Sequence, residues 1–220
     1  MKKVNWLDHI ANLLVVILGI SIAFYLEGYR AEKELKIQEE KYLESLISDL
    51  ENDITSIDTL VSLNKNISRA LVALSDASIG MPRSEDTTIV SRVMWIQFNP
   101  PFTPQNTTYE SLKASGKMDL IGDFELRNKI VELYEQSYLY AYQYDESLSE
   151  HVSDYIKPFF MKNMKYISRN EIDDAFLNDN EFRNMIFAYR FLFQQKNNYY
   201  KTVREIALEV KSALEASIES

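Results

Sequence analysis

Residues 10–26, IANLLVVILGISIAFYL, carry no charged side chain, and Asn12 and Ser21 are the strongly polar exceptions. As a helix rising about 1.5 Å per residue, this run is about 26 Å long, just short of the roughly 30 Å hydrocarbon core of a bilayer. Extending it to 7–29 closes the gap. Asp8, His9 and Glu27 then sit at headgroup depth, and Trp6, Tyr25 and Tyr29 sit where interfacial aromatics gather. Three readings fit: an uncleaved membrane anchor, a signal peptide cut near Ser21-Ile22-Ala23 behind Lys2 and Lys3, or a buried helix of a soluble core. The helical pattern continues through Ala23 into a charged segment without a break, which favours the anchor. Lys2 and Lys3 on one side nearly balance Arg30, Lys33 and Lys36 on the other. A short tail ahead of an uncleaved anchor stays inside, so the expected topology is a cytoplasmic N-terminus with the bulk of the chain outside. Gly19 and Ala23 form a small-xxx-small pair on one face, the spacing that lets helices approach closely in lipid.

Outward from this run the chain reads as helix. Residues 31–41, AEKELKIQEEK, are strong helix formers, nearly all polar, and suit a solvated stalk. From Leu43 the apolar residues step Leu43, Leu46, Leu50, Ile54, Ile57, Val61, pass Asn64, and resume at Ile67, Leu71 and Leu74. Steps of three and four make one stripe, either a face of a bundle within the chain or a coiled-coil seam with another. Gly80 and Pro82 end this helix. A shorter helix is expected over 86–97. Residues 99–106, NPPFTPQN, hold three of the five prolines and must form a loop. Thr107 and Glu110 have capping-box spacing and open a helix to 115, closed by Gly116. Asp123 caps a helix to about 156, where Pro158 kinks or ends it. Ser168 with Glu171, and Asn178 with Glu181, predict two further helix starts. Long helices over 43–79, 124–156 and 181–217, with 86–97 and 108–115 as a broken fourth element, imply an all-α, antiparallel up-down bundle behind a single transmembrane helix. The organisation is 1–29 anchor, 30–42 stalk, 43–220 bundle.

Composition bounds the function. A net charge of −9 disfavours nucleic acid and broad adsorption onto anionic lipid. The absence of cysteine excludes disulfides, thiolate catalysis and zinc–thiolate sites. Ser115-Gly116-Lys117 ends like a phosphate loop, but Ser111 stands where the earlier glycine belongs. His151 has no evident nucleophile beside it and reads as a helix-surface residue. Asp173, Asp174 and Asp179 lack calcium-loop spacing and read as solvated helix-end acids. No catalytic residue, metal or cofactor is expected. Tyr134, Tyr138 and Tyr142 recur at i+4, as do Tyr140 with Tyr144 and Phe187 with Phe191. These aromatics suit either an interhelical core with hydroxyls at its rim, or a tyrosine-lined pocket or docking face.

The block NTTYESLKASGKMDLIGDFELRNKIVELYE, 106–135, together with the LLVVILGI run at 13–20, resembles a family of small, uncharacterised bacterial membrane proteins. The matching residues are Tyr109 to Lys113, Ser115-Gly116, Leu120-Ile121 and Glu125-Leu126-Arg127. The resemblance implies one N-terminal span, a membrane-anchored helical soluble domain and no established activity; the expected location is the bacterial inner membrane. This chain's basic tail is shorter than the family's. Within the block, Glu110 or Glu125 is expected to pair with Arg127 or Lys113. The expected role is a non-enzymatic anchored module that binds another membrane or envelope protein or its own copies. The alternatives are a ligand sensor with a tyrosine pocket, and a membrane-active effector.

Overall fold

The computed structural model describes residues 6–81, 89–168 and 171–219, with side chains described from Asn12 onward except at 166, 168 and 171. Its first element, α1, Trp6–Ser78, is a single helix of 73 residues, about 110 Å long. The uncharged run, the charged stalk and the apolar stripe are successive stretches of this one rod, because nothing between Trp6 and Ser78 is a proline. Its side chains are exposed from Asn12 to Ile37; burial begins at Leu43. Gly80 ends it in the left-handed conformation, φ +79°, with Met81 N donating to Asp76 O and Gly80 N to Ala77 O. Pro82 lies outside the described residues.

The chain returns along α1 through α2, Ile89–Ile96, the proline loop, and α3, Thr107–Ala114. It turns again through a 3₁₀ turn, Met118–Leu120. Gly122 N, donating to Glu39 Oε1 at 2.9 Å, marks the foot of the bundle. The third rod comprises α4, Phe124–Glu132, α5, Tyr138–His151, and α6, Lys157–Asn163, joined by π-turns at Leu133–Ser137 and Val152–Ile156. A two-residue pairing of β1, Tyr166–Ser168, with antiparallel β2, Glu171–Ile172, and a 3₁₀ turn, Ala175–Asn178, cross the far end. The last element, α7, Asn180–Glu219, runs 40 residues back down. Against α1 its partners ascend as α1 descends: Arg183 with Ser78, Asn197 with Asn64, Arg204 with Asp58, Lys211 with Glu51. The chain is all-α, an up-down-up-down bundle with α2, the loop and α3 as the broken second strand of helix.

Several local expectations are corrected. Pro158 does not end its helix, which continues to Asn163. A π-turn immediately precedes it, and proline occupies the first turn of α6, where its missing N–H breaks no bond. Ser168 and Glu171 open no helix; they pair across the small hairpin. The cap of α7 is Asp179, whose Oδ1 accepts from Glu181 N at 2.7 Å, not Asn178. At α3 Asn106, not Thr107, is the capping position, and its side chain makes no cap bond. Asp123 does cap α4, accepting from Glu125 N and Leu126 N.

The stripe on α1 is the face of a bundle within the chain. Leu43, Leu46, Leu50, Ile57, Leu60, Ile67, Leu71 and Leu74 are buried, with Asp53 and Asn64 in the same 3-4 register; Ile54 and Val61 are only half-buried beside it. On α7 the sequence Phe182, Ile186, Tyr189, Phe193, Lys196, Tyr200, Val203, Ala207, Val210, Leu214 follows the same spacing. A 3.5-residue repeat on both rods is the pattern of left-handed, knobs-into-holes packing. Leu46→Ala is therefore expected to lower unfolding free energy by about 2–5 kcal/mol in chemical denaturation of the detergent-solubilised protein. Leu18→Ala, on the exposed stretch, is expected to leave the bundle's transition unchanged.

Candidate functional site

The stripes that build the bundle are interrupted by charge at mid-height, and the proline loop crosses there. Lys196 is 0% exposed. Its three ammonium protons have three acceptors: Asp145 Oδ1 at 2.7 Å, Asn99 Oδ1 at 2.8 Å and Pro100 O at 3.1 Å. Asp145 is also buried, and accepts from Tyr200 Oη at 2.8 Å and Phe102 N at 2.9 Å. Asn99 Nδ2 donates to Asp145 O at 3.3 Å and to Ser149 Oγ at 3.1 Å. At least two turns further toward the foot, where Tyr138 lies seven residues before Asp145, Asp53 accepts from Gln105 N and from Tyr138 Oη, each at 2.7 Å. The loop lacks the amide donors of Pro100, Pro101 and Pro104. It satisfies those of Phe102 and Gln105 on buried carboxylates of two different rods, because a buried N–H needs a partner.

Aromatic rings close the space. Phe102 packs edge-on against Tyr138 at 5.3 Å and Tyr200 at 6.2 Å. Tyr134 stacks on Tyr109 at 4.5 Å and meets Tyr138 edge-on. Tyr109 Oη donates to Glu135, which also pairs with Lys113 at 2.5 Å. Burial pushes the Asp53 carboxyl up to about 6, against the opposing hydrogen bonds from Gln105 and Tyr138. Burial also lowers the Lys196 ammonium, with Asp145 pulling it back up. It raises the phenols of Tyr138 and Tyr200, helped by their neighbouring aspartates. Asn64 Nδ2 donates to Asn197 Oδ1 at 2.7 Å near the level of Lys196. These polar groups divide the interior into an apolar cluster around Leu50, Leu133 and Val203 and another around Leu71, Ile156 and Phe182.

The expected tyrosine face separates. Tyr134 and Tyr138 are buried at the loop, whereas Tyr142 is 56% exposed and reaches only Glu146. Steps of four drift about 40° around a helix each time, so after Tyr138 the buried stripe passes through Ala141 and Asp145. Tyr140 and Tyr144 flank Tyr199. Phe187 and Phe191 face solvent, while Tyr189 and Phe193 face the core. Among the described residues, one surface cleft of about 750 Å³ is lined at the foot by Lys36, Glu39 and Ala213, and another of about 210 Å³ along α1 and α7 by Leu71, Arg190 and Asn197. Neither is lined by the tyrosines. Gly19 and Ala23 lie on the exposed stretch of α1, with nothing within 4 Å of a Cβ built at Gly19. In the 106–135 block the ion pairs are Lys113 with Glu135 and Arg127 with Asp119, not the expected Glu110 or Glu125 partners, because α3 packs beside the π-turn at Leu133–Ser137 and the 3₁₀ turn lies against α4. His151 is half-buried, its Nε2 3.1 Å from Met185 O. Asp173 accepts from Ala175 N. Among the described residues no three acidic or histidine side chains converge as a metal site.

A family model matches residues 12–194. The chain belongs to DUF6090, a family of unknown function. The DUF6090 match takes in the exposed apolar stretch of α1, the proline loop, Asp53 and Asp145, and stops just before Lys196. No curated protein and no solved structure matches the chain.

The residues that build this centre, Asp53, Asn99, Asp145, Lys196 and Tyr200, are absent from the expectations drawn from sequence. A signal for two of them exists: Asp53 and Lys196 fall on 3-4 stripe positions whose neighbours are apolar, and charge at such a position must be paired or exposed. Tyr200→Phe removes a donor to Asp145 and is expected to destabilise the fold by about 1–3 kcal/mol in denaturant titration. Asp53 binds its proton more tightly folded than unfolded. Its contribution is therefore full below the ordinary value of 3.8 and is lost as pH rises through about 6. Asp53→Asn keeps an acceptor and cannot titrate. Plotted against pH, the stability difference between the two proteins is expected to shift in the variant's favour across that window and to be flat above it.

Proposed function

We propose that this protein is a single-pass, membrane-anchored helical module that acts by binding, not by catalysis. Residues 1–29 are its anchor, 30–42 its stalk and 43–220 its binding domain. The membrane is the bacterial inner membrane, and the bulk of the chain stands on its extracytoplasmic side. The partner is another membrane or envelope protein or a second copy of the chain. One observation carries the reading: α1 has a stretch long and apolar enough to cross a membrane, and none of it is buried against the rest of the chain. Leu13 through Leu18, Ile20, Ile22, Phe24 and Leu26 project on every side. A soluble protein does not expose a continuous apolar cylinder of this length. Behind it stands a bundle in which Tyr134, Tyr138 and Tyr200 fill the core and the loop contact and, among the described residues, line neither cleft, which favours a binding module over a sensor with a tyrosine-lined pocket.

In fractionated cells the full chain is expected to remain with carbonate-washed membranes and to enter solution with detergent. Recovery in the aqueous fraction, whole or trimmed near Ala23, contradicts the anchor. Cross-linking in the membrane is expected to give a discrete oligomer or hetero-complex, and an unpartnered monomer contradicts the binding role. If copies meet through the span, Gly19→Ile with Ala23→Ile lowers the cross-linked yield several-fold.

A further inference from the structure

The environment of Lys196 has a chemical consequence beyond packing. A primary amine and a carboxylate are enclosed together, and a half-buried carboxamide is held against the amine. Lys196 Nζ lies 2.8 Å from Asn99 Oδ1 and 2.7 Å from Asp145 Oδ1. The amine is wholly enclosed, with the Tyr200 ring 5.1 Å away and Phe102 packed on that ring. The carboxamide is held by two hydrogen bonds from its own Nδ2, to Asp145 O and Ser149 Oγ. Reactants fixed at contact distance react as if at very high concentration, and exclusion of water suppresses hydrolysis. Burial of the amine favours its neutral, nucleophilic form.

We propose that Lys196 and Asn99 become joined by an intramolecular isopeptide bond, with Asp145 as the proton acceptor. The Lys196 ammonium gives one proton to the Asp145 carboxylate. The free amine attacks Asn99 Cγ and forms the Nζ–Cγ bond. A second proton passes from Nζ to Nδ2 as the Cγ–Nδ2 bond breaks, and ammonia leaves. The third proton stays on the new amide, and Asp145 keeps the one it received. A buried ion pair is thereby replaced by a neutral amide and a neutral carboxylic acid, which removes charge from an apolar interior. Asn99 is only half-buried, so ammonia has a way out.

Two features select Asn99 as the acyl group. The Asp145 carboxylate is an anion occupied by Tyr200 and the Phe102 amide, and an anion is a poor electrophile. Asn99 is followed by Pro100. Proline has no N–H, so the attack of the following amide on an asparagine side chain, the usual route by which asparagine loses ammonia, is closed here. The bond would tie the proline loop covalently to α7 across 96 intervening residues of chain.

The test is intact-mass spectrometry of the full chain purified in detergent, followed by proteolysis and sequencing of the fragments. The expected mass is that of the sequence less one ammonia, with a branched peptide joining positions 99 and 196. Asn99→Ala and Lys196→Met should each restore the full mass calculated for that variant. Asp145→Asn, checked for helicity by circular dichroism, should lower the cross-linked fraction at least tenfold if folded. Wild-type protein at full mass, loss of ammonia without the branched peptide, or loss persisting in Asn99→Ala would each overturn the proposal.

Discussion

The enclosed contact between Lys196 and Asp145 constrains this bundle more than any apolar contact does. Two charges removed from water are tolerable only when every proton and lone pair nearby is satisfied. Here that requires Asn99, the Pro100 carbonyl, the Phe102 amide and the Tyr200 hydroxyl to converge from the loop, α5 and α7. Sliding α7 by one heptad against α5 would keep apolar side chains on the stripe and leave both charges unpaired. Leucine and isoleucine alone would accept several registers; the polar level accepts one. Asn64 against Asn197 imposes the same requirement between α1 and α7.

The loop inherits its shape from that level. With three prolines, residues 99–106 cannot form helix, and a bundle with one broken strand would lose its second side if the loop swung away. Asp145 and Asp53 hold it at two points, and the Phe102 ring fills the gap between Tyr138 and Tyr200. The segment therefore serves as a packed part of the interior. This explains why the tyrosines nearest it are spent on packing and on hydroxyl contacts to Asp53 and Asp145.

Much of the architecture was legible in the residues. The apolar run, the stripe from Leu43, the loop at 99–106 and the caps at Asp123 and Gly116 each follow from local chemistry, and they produce the up-down order with its broken second element. What was not legible depended on partners distant in sequence. In an isolated helix Ile54, not Asp53, continues the apolar stripe, because such a helix has no reason to bury a carboxylate; only the loop's Gln105 amide and Tyr138 supply one. Asn99, Asp145 and Lys196 lie far apart in the chain, and no spacing announces their convergence. Helix continuity through Pro158 depended on a π-turn, and the pairing of Tyr166–Ser168 with Glu171–Ile172 on a cross-strand contact too short to leave an alternating pattern. The family match adds membership and no activity, so the functional reading rests on exposure of the first part of α1 and on the packing of Tyr134, Tyr138 and Tyr200 inside the bundle behind it.

The central claim is that the proline loop is part of the core, fastened by buried carboxylates at mid-height. Amide hydrogen exchange of the full-length protein, read at single-residue resolution at Phe102 and Gln105, tests it most directly. The account predicts protection at these two amides comparable to that of Leu148 and Val203 in the flanking helices, lost only with global unfolding. Exchange at the rate of an open surface loop, while those helices stay protected, would contradict it.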